Sequence, residues 1–466
     1  MQVRLGSTIS VENPTPELVQ WCEKNLKVRN PDYTKKTRMN LWVGNTPEWL
    51  RLYERRGSTL NLPYGTLSEI LPFIRDDVVT PGDFGQAQGV DYDCTVPLYD
   101  YQEDAVWQMK HHPCGILQSP AGSGKTVMGI ALIAALGKRA LWLTHTKDLL
   151  AQSKARAEQY MDKSLLGTIT EGKVDVGEGI TFATVQTMCK LDLSQYKYMW
   201  DVVVVDECHR VAGSPTSVSQ FYKVLNSLAA RRKYGLSATV HRADGLIAAT
   251  HALVGKVAYA VPEAAVADKI MKVTIAPVYT GIAPDRSCIN TDGTLNYAKL
   301  INFLCTNKER NRYISDFIST EGDYPSLILS DRLEHLETLM NGLSPRLREK
   351  AVMVSGKMTT KKGKAEREQA IEDMRTGKKT YLFATYSLAK EGLDIPRLER
   401  LYLVTPQTDY AVITQSIGRI ARTCEGKRDP VCYDWVDKSQ YLAKAYKKRC
   451  TTYRKNGCRF DDGGEP

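Results

Sequence analysis

Short apolar runs recur along the chain with longer stretches of helical period between them. The first series is Gly115–Ser119 (GILQS), Ala140–Thr144 (ALWLT), Ile180–Thr184 (ITFAT), Val202–Asp206 (VVVVD) and Tyr234–Ala238 (YGLSA). The second is Lys272–Val278, Ser326–Ser330, Ala351–Ser355, Thr380–Thr385, Arg400–Thr405 and Val431–Val436. Runs that are apolar on both faces and separated by helices predict parallel sheets covered on both sides. The expected fold class is therefore α/β, with two parallel-sheet domains in tandem.

Outside these series the pattern weakens. Residues 1–88 read as a small accessory domain of mixed α/β character, expected to touch nucleic acid. It contains a basic stretch, Lys24–Asn40, followed by LWVGNTPEWLRLYERRG, Leu41–Gly57. Pro47 after an Asn-Thr pair predicts a helix start, and Trp49, Leu50 and Tyr53 then fall at helical spacing as a core stripe. Thr80–Gly89, rich in Gly, Pro and small polar residues, reads as a linker. The expected boundaries are 89–263 for the first sheet domain and 264–440 for the second, with 441–466 as a basic tail.

Composition changes this picture little. The 466 residues suit roughly three domains. Lys plus Arg exceed Asp plus Glu by 63 to 53, a net charge of +10 that favours a polyanionic partner without naming one. No opening stretch has the apolar core of a signal peptide, and Val127–Gly137 is too short to span a bilayer. The expectation is a cytoplasmic protein that does not engage a membrane, in a bacterium or a phage-infected host. The eleven cysteines form no disulfide framework. Cys424, Cys432, Cys450 and Cys458 miss the close pairs of structural zinc sites and read as isolated thiols.

Chemistry enters at SPAGSGKT, Ser119–Thr126, which follows a strand and opens a helix. Gly122, Ser123 and Gly124 let backbone N–H groups turn inward on phosphate oxygens, Lys125 reaches the β- and γ-phosphates, and Thr126 offers a hydroxyl to Mg²⁺. The strand Val202–Val205 then delivers Asp206 and Glu207 to one point. Asp206 is placed to hold Mg²⁺, and Glu207 to orient or deprotonate the attacking water. Loop and acid pair together predict nucleotide hydrolysis with ATP and Mg²⁺.

With DECH, Asp206–His209, the chain resembles the superfamily 2 helicases and translocases, and further motifs follow in that family's order. They are LYDYQ (Leu98–Gln102), LTHTKDLLAQ (Leu143–Gln152), FATVQTM (Phe182–Met188), LSAT (Leu236–Thr239), HRADG (His241–Gly245), ILSDR (Ile328–Arg332), ATYSLAKEGLDIP (Ala384–Pro396) and QSIGRIAR (Gln415–Arg422). The resemblance covers about residues 98–436 and implies two RecA-like domains. It implies that Gln102 reads adenine, that His209, Ser237, Thr239 and Gln415 couple the ATP site to the rest of the motor, and that Gly392 and Asp394 join the nucleotide interface. It implies that Arg419 and Arg422 supply charge to the transition state. It also implies nucleic-acid contacts from Thr144, His145, Thr184, Gln186, Ser355, Lys357 and Thr385, groups suited to backbone phosphates rather than base edges. The spacing of Gln415, Arg419 and Arg422 predicts one helical face.

Within the superfamily the motif set is most similar to type III restriction translocating subunits, XPB repair helicases and phage recombination helicases of the UvsW kind. That implies a DNA helicase acting on forked or branched DNA, with replication or recombination proteins as further partners. Two alternatives stand beside it: an RNA helicase, and a duplex translocase serving as motor subunit of a larger complex. No acid partners the EGK of Glu171–Lys173 at nuclease spacing, which argues against a self-contained restriction enzyme.

Overall fold

The computed structural model describes all residues except 75–77, 81, 240–245, 267–268, 291–293, 357, 359, 391–392 and 462–466. They form two compact units, one of residues 1–120 and 124–265 and one of residues 121–123 and 266–466.

The main sheet of the first unit has eight strands. In spatial order they are Lys173–Asp175, Leu166–Thr170, Ile180–Thr184, Ala140–Thr144, Val202–Val205, Arg232–Ser237, Cys114–Gln118 and Val257–Ala260. All pair in parallel except the hairpin of the first two. Val202–Val205 lies in the middle and is fully buried. Each such valine contributes about 1.5–2 kcal/mol of hydrophobic burial, which makes the strand a stiff arm. Gln118, Ser237, Val205, Thr144 and Thr184 end neighbouring strands, so the motifs that follow them stand in one row, about 5 Å from strand to strand.

The N-terminal residues add a five-stranded sheet: Glu54–Arg56, Thr59–Pro63, Thr8–Glu12, Gln2–Leu5 and Val78–Thr80. A two-stranded ribbon joins Lys27–Arg29 to Trp49–Arg51. The helix expected to begin near Pro47 is therefore replaced by a strand. Leu50 and Leu52 alternate inward, and Trp49 is 38% exposed rather than part of a core stripe. Leu18, Leu60 and Ile70 share one apolar cluster with Cys114, Val218 and Ala249, so this region and the main sheet share a core. The amine of Lys233, wholly buried, donates to Leu225 O at 2.6 Å and to Ser7 O at 2.9 Å and ties the two together.

The second unit carries a seven-stranded, wholly parallel sheet: Ala351–Val354, Tyr381–Thr385, Ser326–Ser330, Arg400–Leu403, Val431–Val436, Thr274–Tyr279 and Arg459–Phe460. Its last strand corrects one expectation. The basic C-terminal segment is not a tail. It forms a helix, Gln440–Lys455, whose Leu442, Tyr446, Arg449, Cys450 and Tyr453 are buried, and then an edge strand. The Arg449 guanidinium forks onto Asp434 at 2.7 and 2.8 Å, and Arg310 onto Asp437 at 2.8 and 3.0 Å. Among the described residues no helix is long and apolar enough to cross a membrane.

Candidate functional site

The phosphate loop begins where Cys114–Gln118 ends and closes into the helix Lys125–Leu136. Gly122 and Gly124 hold φ of 88° and 82°, the left-handed turn that aims successive N–H groups to one side. The Lys125 amine rests on the carbonyls of Ser119 and Pro120 at 3.4 and 3.2 Å. Thr126 is half-buried in the first turn of the helix. Gln102, buried in the helix Asp100–Lys110, accepts from Tyr99 N at 3.0 Å. Its amide nitrogen lies 2.6 Å from where a Cβ on residue 124 would stand, so it is packed against the loop.

Asp206 is buried at the end of Val202–Val205. Its carboxylate accepts from Ser153 Oγ at 3.1 Å and from Glu207 N at 2.9 Å. Burial first, and the charge of Glu207 second, push its carboxyl above the ordinary range, while Ser153 and the charge of Lys125 act the other way. Glu207 sits at φ 47°, ψ 50°, a left-handed conformation that costs a non-glycine residue about 1–2 kcal/mol. Glu207 Oε2 lies 3.2 Å from His209 Nδ1, which lies 3.1 Å from Ser237 Oγ. Ser237 Oγ in turn donates to Thr239 O at 2.7 Å and accepts from Thr239 N at 3.1 Å. Glu207, His209, Ser237 and Thr239 thus form one connected chain across two neighbouring strand ends.

The oxygen set suits a hard divalent cation. Thr126 offers a hydroxyl, and Asp206 offers a desolvated carboxylate next to a second acid, an arrangement that a cation such as Mg²⁺ would stabilise. Ser153 is a functional neighbour that the sequence reading missed. Nothing in its local sequence distinguishes it, because it approaches Asp206 from the helix Lys147–Ala157.

The predicted nucleic-acid residues of this unit cluster at two paired strand ends, Thr144 opposite Thr184. Both threonines are buried, and their hydroxyls hold the backbone instead of facing solvent. Thr144 Oγ1 donates to Thr146 O at 3.0 Å, and Thr184 caps the short helix Val185–Met188 through Thr187 N at 3.3 Å. His145 and Gln186, half-buried, lie 3.3 Å apart beside them. Burial, helped by the charges of Arg210 and His209, lowers the His145 pKa and favours a neutral ring.

In the second unit Gln415 and Arg419 share a face of the helix Tyr410–Ile420. Arg422 does not lie on that helix, which ends before it. A β-bridge to Ile270 holds its backbone, and Lys427 Nζ donates to its carbonyl at 2.6 Å. Its guanidinium donates to Asp394, and Arg419 Nε donates to Ala389 O at 3.1 Å. Ser355, just past one strand, and Thr385, at the end of its neighbour, line a cavity of about 1060 Å³ with Asp331, Arg332 and Lys308. Lys357, Gly392 and the segment His241–Gly245 lie outside the described residues.

Two family descriptions match the chain: "Type III restriction enzyme, res subunit" over residues 95–242 and "Helicase conserved C-terminal domain" over residues 309–424. The chain is 24% identical over 367 residues to "Probable helicase D10" of Escherichia phage T5, across 78% of this chain and 74% of that one. It is 24% identical over 358 residues to "DNA 3'-5' helicase XPB" of Kineococcus radiotolerans, across 71% of this chain and 58% of that one. Among solved structures, Saccharomyces cerevisiae Dbp5 bound to RNA and ADP BeF3 is similar in fold at a TM-score of 0.55 and 18% identity, across 86% of this chain and 94% of that one. The Type ISP restriction-modification enzyme LlaBIII bound to DNA is similar at a TM-score of 0.55 and 15% identity, across 78% and 30%.

Proposed function

The chain belongs to superfamily 2 of the helicases and hydrolyses ATP, and from that premise we propose that its substrate is forked or branched DNA. The row of strand ends supports the catalytic part of this reading, because it brings the phosphate loop, the acid pair and the Ser237–Thr239 turn onto one edge. Lys125 neutralises charge on the β- and γ-phosphates. Glu207 orients the attacking water and takes its proton. His209 and Ser237 report the state of Glu207 to Thr239. Asp206 and the Thr126 hydroxyl would hold Mg²⁺, which would supply Lewis-acid polarisation of the phosphate oxygens. Arg419 and Arg422 are assigned to transition-state charge on the strength of their motif.

The choice of DNA draws on the relative named a DNA helicase and on a basic N-terminal region, taken as the accessory module that grips the junction. Phosphate release should be measured with single-stranded DNA, forked DNA, duplex DNA and RNA, followed by strand displacement on the fork. The expected result is strongest stimulation by forked DNA, with displacement. Stimulation by RNA alone would overturn the choice of DNA. Duplex stimulation without displacement would make the chain a motor subunit.

A further inference from the structure

The N-terminal region carries a surface with no part in ATP hydrolysis. Residues 24–56 hold nine Lys or Arg against three acids, a dense share of a chain whose net charge is only +10. In the ribbon, alternation turns Val28 and Leu50 inward and leaves Lys27, Arg29, Trp49 and Arg51 on the opposite face. Lys27 Nζ and Arg29 Cζ lie 5.2 and 5.5 Å from the centre of the Trp49 ring. Glu23 and Glu48 pair with Lys27 and Arg29 at 3.4 and 3.1 Å at the rim. The next helix, Pro31–Arg38, buries no residue and ends in Lys35, Lys36 and Arg38.

From that helix the chain enters a loop, residues 39–48, tied down at both ends. Leu41 N donates to Lys36 O at 2.8 Å, Lys36 Nζ to Thr46 Oγ1 at 2.7 Å, and the Asn30 side chain to Pro47 O at 2.9 Å. On this braced loop stands Trp42, 88% exposed, with Met39 at 57% and Leu41 at 54%. A Cβ on Gly44, at φ +52°, would come within 2.9 Å of the Trp42 ring. One face of the indole thus lies against a turn that only glycine leaves open, and most of the ring meets solvent. Trp42, Met39 and Leu41 together form a braced, exposed apolar patch in a Lys- and Arg-rich segment, the kind of patch that marks a binding surface.

We propose that Trp42 is a stacking platform for an unpaired nucleobase, with Lys35, Arg38 and Arg51 on the neighbouring phosphates. A single-stranded nucleic acid presents a planar ring and an anion in every repeat, which matches an exposed indole carried in a segment dense in lysine and arginine. A bilayer would be met by a helix with an apolar stripe, and Pro31–Arg38 has none. The inference rests on the nucleic-acid reading above and adds a base-contacting site outside the two sheets.

The test uses the full chain with Trp42→Ala, Trp42→Phe and the double variant Lys35→Ala/Arg38→Ala. Binding of a labelled oligothymidine and of a forked duplex is followed by anisotropy across a salt series. Trp42→Ala should bind the single strand about 5- to 100-fold more weakly with an unchanged salt slope, and Trp42→Phe should keep most of the affinity. The double lysine–arginine variant should lower the salt slope by roughly 1–2. ATP hydrolysis without DNA should stay the same in all three. Unchanged affinity in Trp42→Ala while the wild type binds would overturn this inference alone. A wild type that binds no nucleic acid would overturn the functional reading with it. Loss of binding to anionic-lipid vesicles in Trp42→Ala, with DNA affinity intact, would assign the loop to a membrane surface instead.

Discussion

Each unit places acids in or at the ends of buried strands, but the two treat them differently. In the second unit Asp434 and Asp437 each receive a forked arginine, and Asp434 also receives the Tyr453 hydroxyl at 2.6 Å. In the first, Asp206 is met by a serine hydroxyl and a backbone N–H, with a second acid next in the chain and the charge of Lys125 nearby. Burial is nearly complete in all three cases. Matched guanidinium groups turn the second unit's acids into cross-links of the fold. In the first, the charge of Glu207 raises the carboxyl of Asp206 beside it, a crowding of acids that suits the cation and proton roles proposed above. Where a fold neutralises its buried carboxylates they are structural, and where it crowds them they are poised for a ligand.

Substitutions can break that contrast, and the largest effects are expected on turnover. Arg422→Ala should reduce ATP hydrolysis by about 10³-fold with nucleotide affinity largely kept, as measured by phosphate release and by binding of a fluorescent nucleotide. Glu207→Gln should still bind ATP and hydrolyse it about 10²- to 10⁴-fold more slowly. Asp434→Ala removes one partner of a buried pair and should cost about 3–5 kcal/mol. The second unit should then melt roughly 6–20 °C lower, while the first unit keeps its intrinsic nucleotide affinity; an unchanged melting temperature would remove the structural half of the contrast. The same Glu207→Gln, by relieving the repulsion on Asp206, should raise the melting temperature by roughly 2–4 °C, the equivalent of about 1 kcal/mol.

A further effect concerns Lys233. Burial pulls its amine down to about 7, and its two hydrogen bonds are as many as a neutral amine can donate. The unfolded chain keeps that proton up to the ordinary lysine value of 10.5. Between those values the unfolded state binds more protons, so this group makes stability rise with pH, and below about 7 its burial cost is fully present. Melting curves at pH 7 and pH 9 should therefore diverge in favour of the wild type over Lys233→Met at the higher pH. Parallel behaviour of the two proteins would mean the amine stays charged.

The strands and helix that carry the phosphate-loop and acid-pair motifs were legible in the sequence because those motifs fix both residue type and local spacing. A glycine loop must join a strand to a helix, and Asp206 and Glu207 need a stiff strand behind them, so VVVVDE predicted its own position. The N-terminal ribbon was not legible. Trp49, Leu50 and Tyr53 satisfy a helical stripe as well as a strand, and only the antiparallel pairing of Arg29 with Trp49 decides between them. The C-terminal helix was hidden by its lysines, although Leu442, Tyr446, Arg449 and Tyr453 recur at three- and four-residue spacing and could have signalled a buried stripe. The inward turn of Thr144 and Thr184 depends on caps formed a few residues on, which a motif does not convey. Arg422 fits the helical period and yet falls past the helix end.

The packing of the Gln102 amide against residue 124 joins two properties that a motif table treats as separate. Any methyl group at 124 would strain the turn assigned to the triphosphate and push aside the amide assigned to adenine. Nucleotide affinity and any preference for ATP over GTP should therefore drift together, and a variant broadened in one would be compromised in the other.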